Sequence, residues 1–420
     1  MPKLQALMVE QGLSFSNFFV TDSLCCPSRS SIQRSQYVHN HGVAGNQAPN
    51  GGFDKFYTEG DQNSTVGTWL KGAGYRTALM GKYLNEYGFP RGAGFTYVPP
   101  GWDEWDSPIE NGGYAEFNYK MNENGKLVSY GKKPEDYLTD VLSNKATSFI
   151  QQSAKANAPF FLYLASYAPH QPATPAPRHE QLFINAKAPR TASFNEADVS
   201  TKPQFIQNLP LLTKKQIDEL DQLYRKRLQS LQAVDDLIGQ LFDTLKSTGQ
   251  LDNTYIFFTS DNGFHLGQHR MQMGKQTAYE EDIHVPLIVR EPGIAPAQKV
   301  DQLGMEIDFG PTFAQLAHTN LPEFVDGRSL VPLFNKESET AGNWRQAVLI
   351  EHYFGSDEPN QSAFEDEQHL NKKKAIPTYK ALRTGRYLYV EYETGEKELY
   401  DLSNDPDELH NIVSKADNSL

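Results

Sequence analysis

The sequence predicts an α/β protein, a mostly parallel sheet flanked by helices, followed by a smaller antiparallel sheet domain. Three observations carry this. The runs Phe160–Ala165, 255–259 and 285–289 are short and nearly continuous in apolar residues, as strands covered on both faces are. A helical pattern lies between the first and second of them, with Leu220, Leu223, Leu228, Leu231, Val234, Ile238, Leu241 and Leu245 on one stripe. From about Asn335 the texture changes. Residues 379–383 and 387–391 alternate apolar and polar around Thr384-Gly385-Arg386, which reads as a hairpin. The expected division is therefore an α/β unit over residues 1–335 and an α+β unit over 336–420. Residues 172–210, rich in Pro, Ala and Gln, lack periodicity and read as a surface excursion.

Composition narrows the function classes. A chain of 420 residues with 38% hydrophobic content can bury a large core. Acidic residues outnumber basic ones by 52 to 39, a formal charge of -13, which disfavours nucleic acid and anionic lipid as partners. An anionic substrate must then meet a local cationic pocket. No run of about 20 apolar residues is present, so no membrane span is expected, and residues 1–5 lack the apolar segment of a secretory signal. The two cysteines, Cys25 and Cys26, are adjacent, which excludes a disulfide framework. Glycosylation sequons at 63–65 and 360–362 are no more than chance supplies in a chain of this length.

Four segments carry chemistry. In Cys25-Cys26-Pro27-Ser28-Arg29, Pro27 suits a first helical turn, which leaves Cys25 just before a helix N-terminus and its unpaired amides. A reactive group there experiences positive potential. In the second segment, residues 74–85, a helix end and a short strand lead to a loop carrying Gly81-Lys82. Third, the strand Phe160–Ala165 runs into Pro169-His170-Gln171-Pro172, placing His170 at a carboxyl-terminal sheet edge, where open sheets build sites. In the last, an apolar strand delivers Asp261 and Asn262 to its edge, both with oxygen atoms suited to a hard cation. His265 and Gly274-Lys275 follow.

In this order and combination the segments resemble the signatures of the type I, formylglycine-dependent sulfatases, which have an alkaline-phosphatase-like fold. The Gly-Lys-Tyr-Leu-Asn form at 81–85 is closest to N-acetylglucosamine-6-sulfatase-like and arylsulfatase members. The ending, Glu398-Leu399-Tyr400-Asp401-Leu402 with Asp405-Pro406-Asp407-Glu408, is similar to that of sulfatase C-terminal domains. The resemblance implies that a modifying enzyme oxidises Cys25 to formylglycine, whose hydrate attacks sulfur and then expels sulfate. It makes Arg29 the residue that holds the modified side chain, and Lys82, His170 and Lys275 ligands of the sulfate group. His170 is also a proton donor to the leaving oxygen, and His265 lines the same pocket. The metal ligands it implies are Asp261, Asn262 and the side chain derived from Cys25, around Ca2+, with Mg2+ as an alternative. Many members carry histidine where this chain has Leu84, so the base for sulfate elimination stays open between Asn85 and His41.

The resemblance also implies partners: a sulfated small molecule or glycan, and the formylglycine-generating enzyme. It implies a secreted, lysosomal or periplasmic setting for the full-length form. Members usually open with a buried strand ending in two metal-binding aspartates, and residues 1–15 match the helix and turn that follow it. A start codon assigned too late, a fragment or a natural truncated product each account for this, the first being favoured. Two further readings stay beside the sulfatase. One is a phosphonate or phosphate ester hydrolase of the same superfamily, and the other is a non-catalytic remnant that binds sulfated glycan.

Overall fold

The protein is seen as a computed structural model, which describes residues 1–89, 93–291, 293, 296–334, 344–353 and 376–415. The expected boundary at 335/336 and the sequon at 360–362 lie outside the described residues. Strands are β1 (Leu13–Phe15), β2 (Phe18–Phe19), β3 (Arg76–Gly81), β4 (Glu104–Pro108), β5 (Lys120–Glu123), β6 (Lys126–Ser129), β7 (Phe160–Ala165), β8 (Ile256–Phe258), β9 (Leu287–Arg290), β10 (Gln298–Val300), β11 (Gly304–Met305), and, near the C-terminus, β12 (Ala347–His352), β13 (Tyr379–Thr384), β14 (Tyr387–Tyr392) and β15 (Lys397–Asp401).

The α/β part is built from two main strand groups. In the first, of order β6-β5-β4-β3-β7, the pairs β3·β4 and β3·β7 are parallel, while β4-β5-β6 is an antiparallel meander. In the second, of order β10-β1-β9-β8, only β1·β10 is parallel. The pairing is thus more mixed than the apolar runs suggested. In the first group part of the reason is local: β5 and β6 are joined by Asn124-Gly125, a tight hairpin connection that enforces antiparallel pairing.

β7 shows why such runs are apolar throughout. Leu162 and Leu164 pack toward the helix side with Leu241, whereas Phe161 and Tyr163 pack on the opposite side, Phe161 against Trp102 and Phe313. Two faces of opposite parity are covered, so neither alternates with polar residues. The helix Lys214–Ser247 covers the first face. Its start is fixed by a capping box, in which the Gln216 amide donates to Thr213 Oγ1 at 3.3 Å and the Thr213 amide donates to Gln216 Oε1 at 2.8 Å.

Among the described residues, β7 pairs only with β3 and β8 pairs only with β9. Both line one cleft of about 1070 Å³, walled by Leu231, Val234 and Ile238 of the long helix and by Phe309 and Phe313 opposite. Two sheet edges and two apolar walls thus bound a slot whose end holds the candidate site.

The C-terminal sheet is antiparallel in the order β12-β13-β14-β15. Its buried residues Val348, Ile350, Ala381, Leu388 and Val390 share one apolar cluster with Phe15, Phe18 and Phe19. This sheet therefore rests directly on the strands that lead to Cys25. The stretch 172–210 holds only short helical turns, as the sequence suggested.

Candidate active site

Four chain segments end at one place. β2 delivers the chain to the helix Cys25–Arg34, with Leu24 as N-cap in extended conformation and Cys25 as first helical residue. Cys25 therefore sits within the first turn, one position further in than Pro27 alone indicated. The site-forming loop after β3 turns at Gly81, whose φ is +101°, and there a Cβ would collide with the Ala165 carbonyl oxygen. The next amide, of Lys82, donates to that oxygen at 2.8 Å. Glycine is required because any side chain would separate β3 from the end of β7. Gly263 meets a similar limit against the Glu281 carbonyl, which fixes the Asp261-Asn262 turn.

The arrangement is cationic around one carboxylate. Lys275 Nζ lies 2.6 Å from Cys25 Sγ. Arg29 donates through Nε to Asp261 Oδ2 at 2.8 Å and through Nη1 to the Lys82 carbonyl at 2.8 Å. Ser28 Oγ contacts the Asp261 carbonyl and Glu306 Oε2. Burial alone would raise the Asp261 pKa, but Arg29, Lys82 and Lys275 hold it well below the usual carboxylate range. Asp261 is therefore ionised near neutrality.

Lys82 is 4% exposed, yet Nζ has no hydrogen-bond partner; it stands 4.9 Å from the centre of the Tyr114 ring. The same ring lies 4.6 Å from His170. His170 Nδ1 is 2.9 Å from the Gln171 carbonyl, which can only accept, so Nδ1 carries the proton and Nε2 a lone pair in the neutral ring. Burial first, then Lys82 and Lys275, push its pKa well below the ordinary histidine value. Arg29, Lys82, His170, Asp261, Asn262 and Lys275 line the same cleft.

A hard cation needs oxygen donors, and two are present. Asn262 Oδ1 is buried without a partner while its Nδ2 donates to the Gly263 carbonyl at 2.7 Å, and Asp261 is an ionised carboxylate. These fit the implied cation, although Ca2+ takes about six to eight oxygens and the pair supplies only part of such a shell.

Some expected positions differ. His265 is not among the cleft-lining residues; it is buried, with Nδ1 3.0 Å from both Asp282 carboxylate oxygens, and it bridges to Gly274 just before Lys275. It braces the segment that carries Lys275. His41 accepts the Val43 amide on Nδ1 at 3.1 Å and meets Ser31 Oγ through Nε2 at 3.0 Å, so both nitrogens are committed. Burial and nearby Arg34 push its pKa down to about 3, which removes it as a candidate base. Cys26 is also inert, its thiol pushed up to about 12 by burial.

Two residues escaped the sequence reading. Tyr114 comes from a helical turn between β4 and β5 that carries no motif. Glu306, fully buried, accepts from the Thr21 amide at 2.8 Å and Thr21 Oγ1 at 2.7 Å and meets Ser28 Oγ at 2.6 Å, tying β2 and the Cys25 helix to β11. Burial pushes its pKa up to about 8.

A model of the sulfatase family matches residues 1–319, and one described as N-sulphoglucosamine sulphohydrolase, C-terminal, matches residues 267–419. The human N-acetylglucosamine-6-sulfatase is 38% identical across 100% of this chain and 78% of its own length. The chain belongs to the sulfatase family. An arylsulfatase of Volvox carteri is 33% identical over 99% of the chain and 68% of its own length. A solved structure in complex with its substrate D-glucosamine-2-N,6-O-disulfate is similar at a TM-score of 0.80 and 26% identity, covering 99% of this chain and 88% of that one. The fold is alkaline-phosphatase-like, and the chain is a sulfuric ester hydrolase acting on sulfate monoesters. A phosphonate monoester hydrolase from Silicibacter pomeroyi has a TM-score of 0.71 at 22% identity over 98% of this chain and 86% of its own, a likeness of fold alone. Among the described residues no helix is long and apolar enough to cross a membrane.

Proposed function

We propose that this sulfatase removes a sulfate ester from an amino-sugar unit of a sulfated glycan, using Cys25 after its oxidation to formylglycine by the formylglycine-generating enzyme. The observation that supports the reading is the 2.6 Å contact between Lys275 Nζ and the buried Cys25 Sγ at a helix N-terminus, Lys275 lining the cleft together with Arg29, Lys82 and His170. The glucosamine disulfate held by the similar solved structure and the N-acetylglucosamine-6-sulfatase identity support the amino-sugar class.

Formylglycine would supply a hydrated aldehyde whose hydroxyl is a nucleophile toward sulfur. Around it, Lys275 orients the attacking group, and Lys82 and Lys275 offset negative charge on the sulfate oxygens. Arg29 anchors Asp261 and the loop carrying Lys82, so both hold their positions as charge moves. His170 lines the cleft, and its Nδ1 contact to the Gln171 carbonyl leaves Nε2 to act. It is neutral beside two ammonium groups, and arrival of an anionic ester raises its proton affinity, which prepares it to protonate the leaving oxygen. A bound Ca2+, or Mg2+ in its place, would polarise the sulfate oxygens; Asp261, Asn262 and the side chain derived from Cys25 would hold it.

The slot between β7 and β8 supports the further reading that an extended apolar segment ending in carboxylates completes the sheet and the cation's shell. Its walls are apolar and its end is cationic, which is complementary to such a segment. The setting we propose is secretory, lysosomal or periplasmic.

The test is comparative turnover of N-acetylglucosamine-6-sulfate, an aryl sulfate and the matched phosphate and phosphonate esters by formylglycine-bearing protein. The proposal expects the sugar sulfate to have the highest kcat/KM. A larger value for a phosphonate ester would overturn it, and sugar binding without sulfate release would make this chain a glycan binder.

A further inference from the structure

Outside the cleft, three side chains from three segments converge. His269 follows the Asp261-Asn262 loop, Glu281 lies in the short helix Glu280–Ile283, and Glu408 belongs to the Asp405-Pro406-Asp407-Glu408 ending. One ligand atom from each lies within 4.8 Å of the others, and His269 Nε2 is 4.0 Å from Glu281 Oε2. His269 is 0% and Glu408 1% exposed.

Each of the three is held from behind. Glu196 Oε2 lies 2.8 Å from His269 Nδ1; in its ionised form, which Lys202 at 3.7 Å favours, it accepts the Nδ1 proton and leaves Nε2 with a lone pair facing inward. Ser193 Oγ donates to Glu281 Oε1 at 3.3 Å, and the Glu280 amide donates to Glu408 Oε2 at 3.0 Å. The inward atoms, His269 Nε2, Glu281 Oε2 and Glu408 Oε1, are buried and have no hydrogen-bond partner. Three acceptors facing one another without a donor repel, and their juxtaposition requires a shared proton or a cation.

We propose that His269, Glu281 and Glu408 form a second, structural site for a divalent transition-metal cation that clips the C-terminal segment to the catalytic part. One imidazole and two carboxylates suit a tetrahedral ion such as Zn2+, with ligand distances of about 2.0–2.2 Å and a water in fourth place. The His269–Glu196 pair is the carboxylate–imidazole support that metal-bound histidines usually have. Oxygen-rich, high-coordination ions such as Ca2+ do not match a nitrogen and two carboxylates. The nearby Lys202 ammonium, 3.7 Å from Glu196 Oε2, opposes a cation and balances the third carboxylate. Closing separations of up to 4.8 Å to the roughly 3.3 Å of tetrahedral ligands brings the widest pair together by at most about 1.5 Å, shared between two side chains.

The experiment uses the whole chain, stripped with a chelator and titrated with Zn2+, with metal content by mass spectrometry and Tm by calorimetry. One equivalent should bind and raise Tm by roughly 5 °C. Asp261→Asn should keep that equivalent, whereas His269→Gln and Glu281→Gln should lose it. Zinc K-edge absorption should show nitrogen and oxygen ligands without sulfur, which separates the site from Cys25 and Cys26. If His269→Gln fails to fold, Glu281→Gln, partly exposed and isosteric, decides. Uptake that survives Glu281→Gln, or no Zn2+-dependent shift in wild type with Tm climbing instead on acidification, would overturn the proposal in favour of a shared proton.

Discussion

Breaking the Arg29–Asp261 pair should destabilise the fold by an amount its geometry sets. The two side chains are 9% and 19% exposed and meet at 2.8 Å. At an effective dielectric constant near 20, opposite charges about 4 Å apart attract by about 4 kcal/mol, and desolvation cancels a good part of that. Removing one member of a buried pair typically costs about 3–5 kcal/mol, because the other is left uncompensated. The two ends are not equivalent here. After Arg29→Met, Asp261 still faces Lys82 and Lys275, so the loss should be near the lower figure, about 3 kcal/mol. After Asp261→Asn, three cations remain with no carboxylate among them, so the loss should approach about 5 kcal/mol. Urea denaturation of wild type, both single variants and the double variant, in chelator at pH 7, closes the cycle. The double variant should be about 2 kcal/mol more stable than additivity predicts. Additivity within about 0.5 kcal/mol, or a larger loss for Arg29→Met, would refute the electrostatic account of this site.

Other consequences can be measured on the same protein. Lys82→Met removes one of the cations that compensate Asp261, so it should lower stability by about 1 kcal/mol and lower kcat by roughly 10²-fold through lost charge stabilisation; stability by urea and turnover of an aryl sulfate check the pair. The Glu306 carboxyl is raised in the folded state from an ordinary 4.5 to about 8, so its contribution is fully present below pH 4.5 and is lost as pH rises through 8. That is roughly 5 kcal/mol between the two limits, and Glu306→Gln should flatten the pH dependence of Tm over this window. A synthetic apolar strand peptide ending in two aspartates should enter the slot between β7 and β8. At 100 times its Kd it should stabilise the chain by about 2.7 kcal/mol, whereas a peptide ending in two lysines should not.

Much of the site was legible because its residues sit at the ends of strongly apolar elements. β7 has the bounds its composition indicated, β8 lies inside 255–259, and the long helix extends the Leu220–Leu245 stripe to Lys214–Ser247. Strand ends fix where His170, Asp261 and Asn262 go, and the glycine at 81 marks where the chain must bend onto Ala165. The meander over β4, β5 and β6 was not legible. Those strands are short and rich in polar residues, as in Lys120-Met121-Asn122-Glu123, and their pairing is set by long-range register. For the same reason Tyr114 was missed, since nothing in residues 112–115 signals that its ring will lie against Lys82 and His170. The resemblance put His265 in the pocket; in the fold its Nδ1 is held by Asp282, a contact that nothing in the sequence signals. Glu306 belongs to no motif, and only its bonds to Thr21 and Ser28 in the folded chain mark it.

The most direct test of the account is peptide mass analysis at Cys25 after coexpression with the formylglycine-generating enzyme, read together with sulfate release from an aryl sulfate with calcium present, in the presence of the acidic strand peptide. The account predicts conversion of Cys25 to formylglycine, sulfate release that scales with the converted fraction, and none from Cys25→Ala. Conversion without release would contradict the assignment of Cys25, Lys82, His170 and Lys275 as a working site, and release from Cys25→Ala would contradict the nucleophile itself.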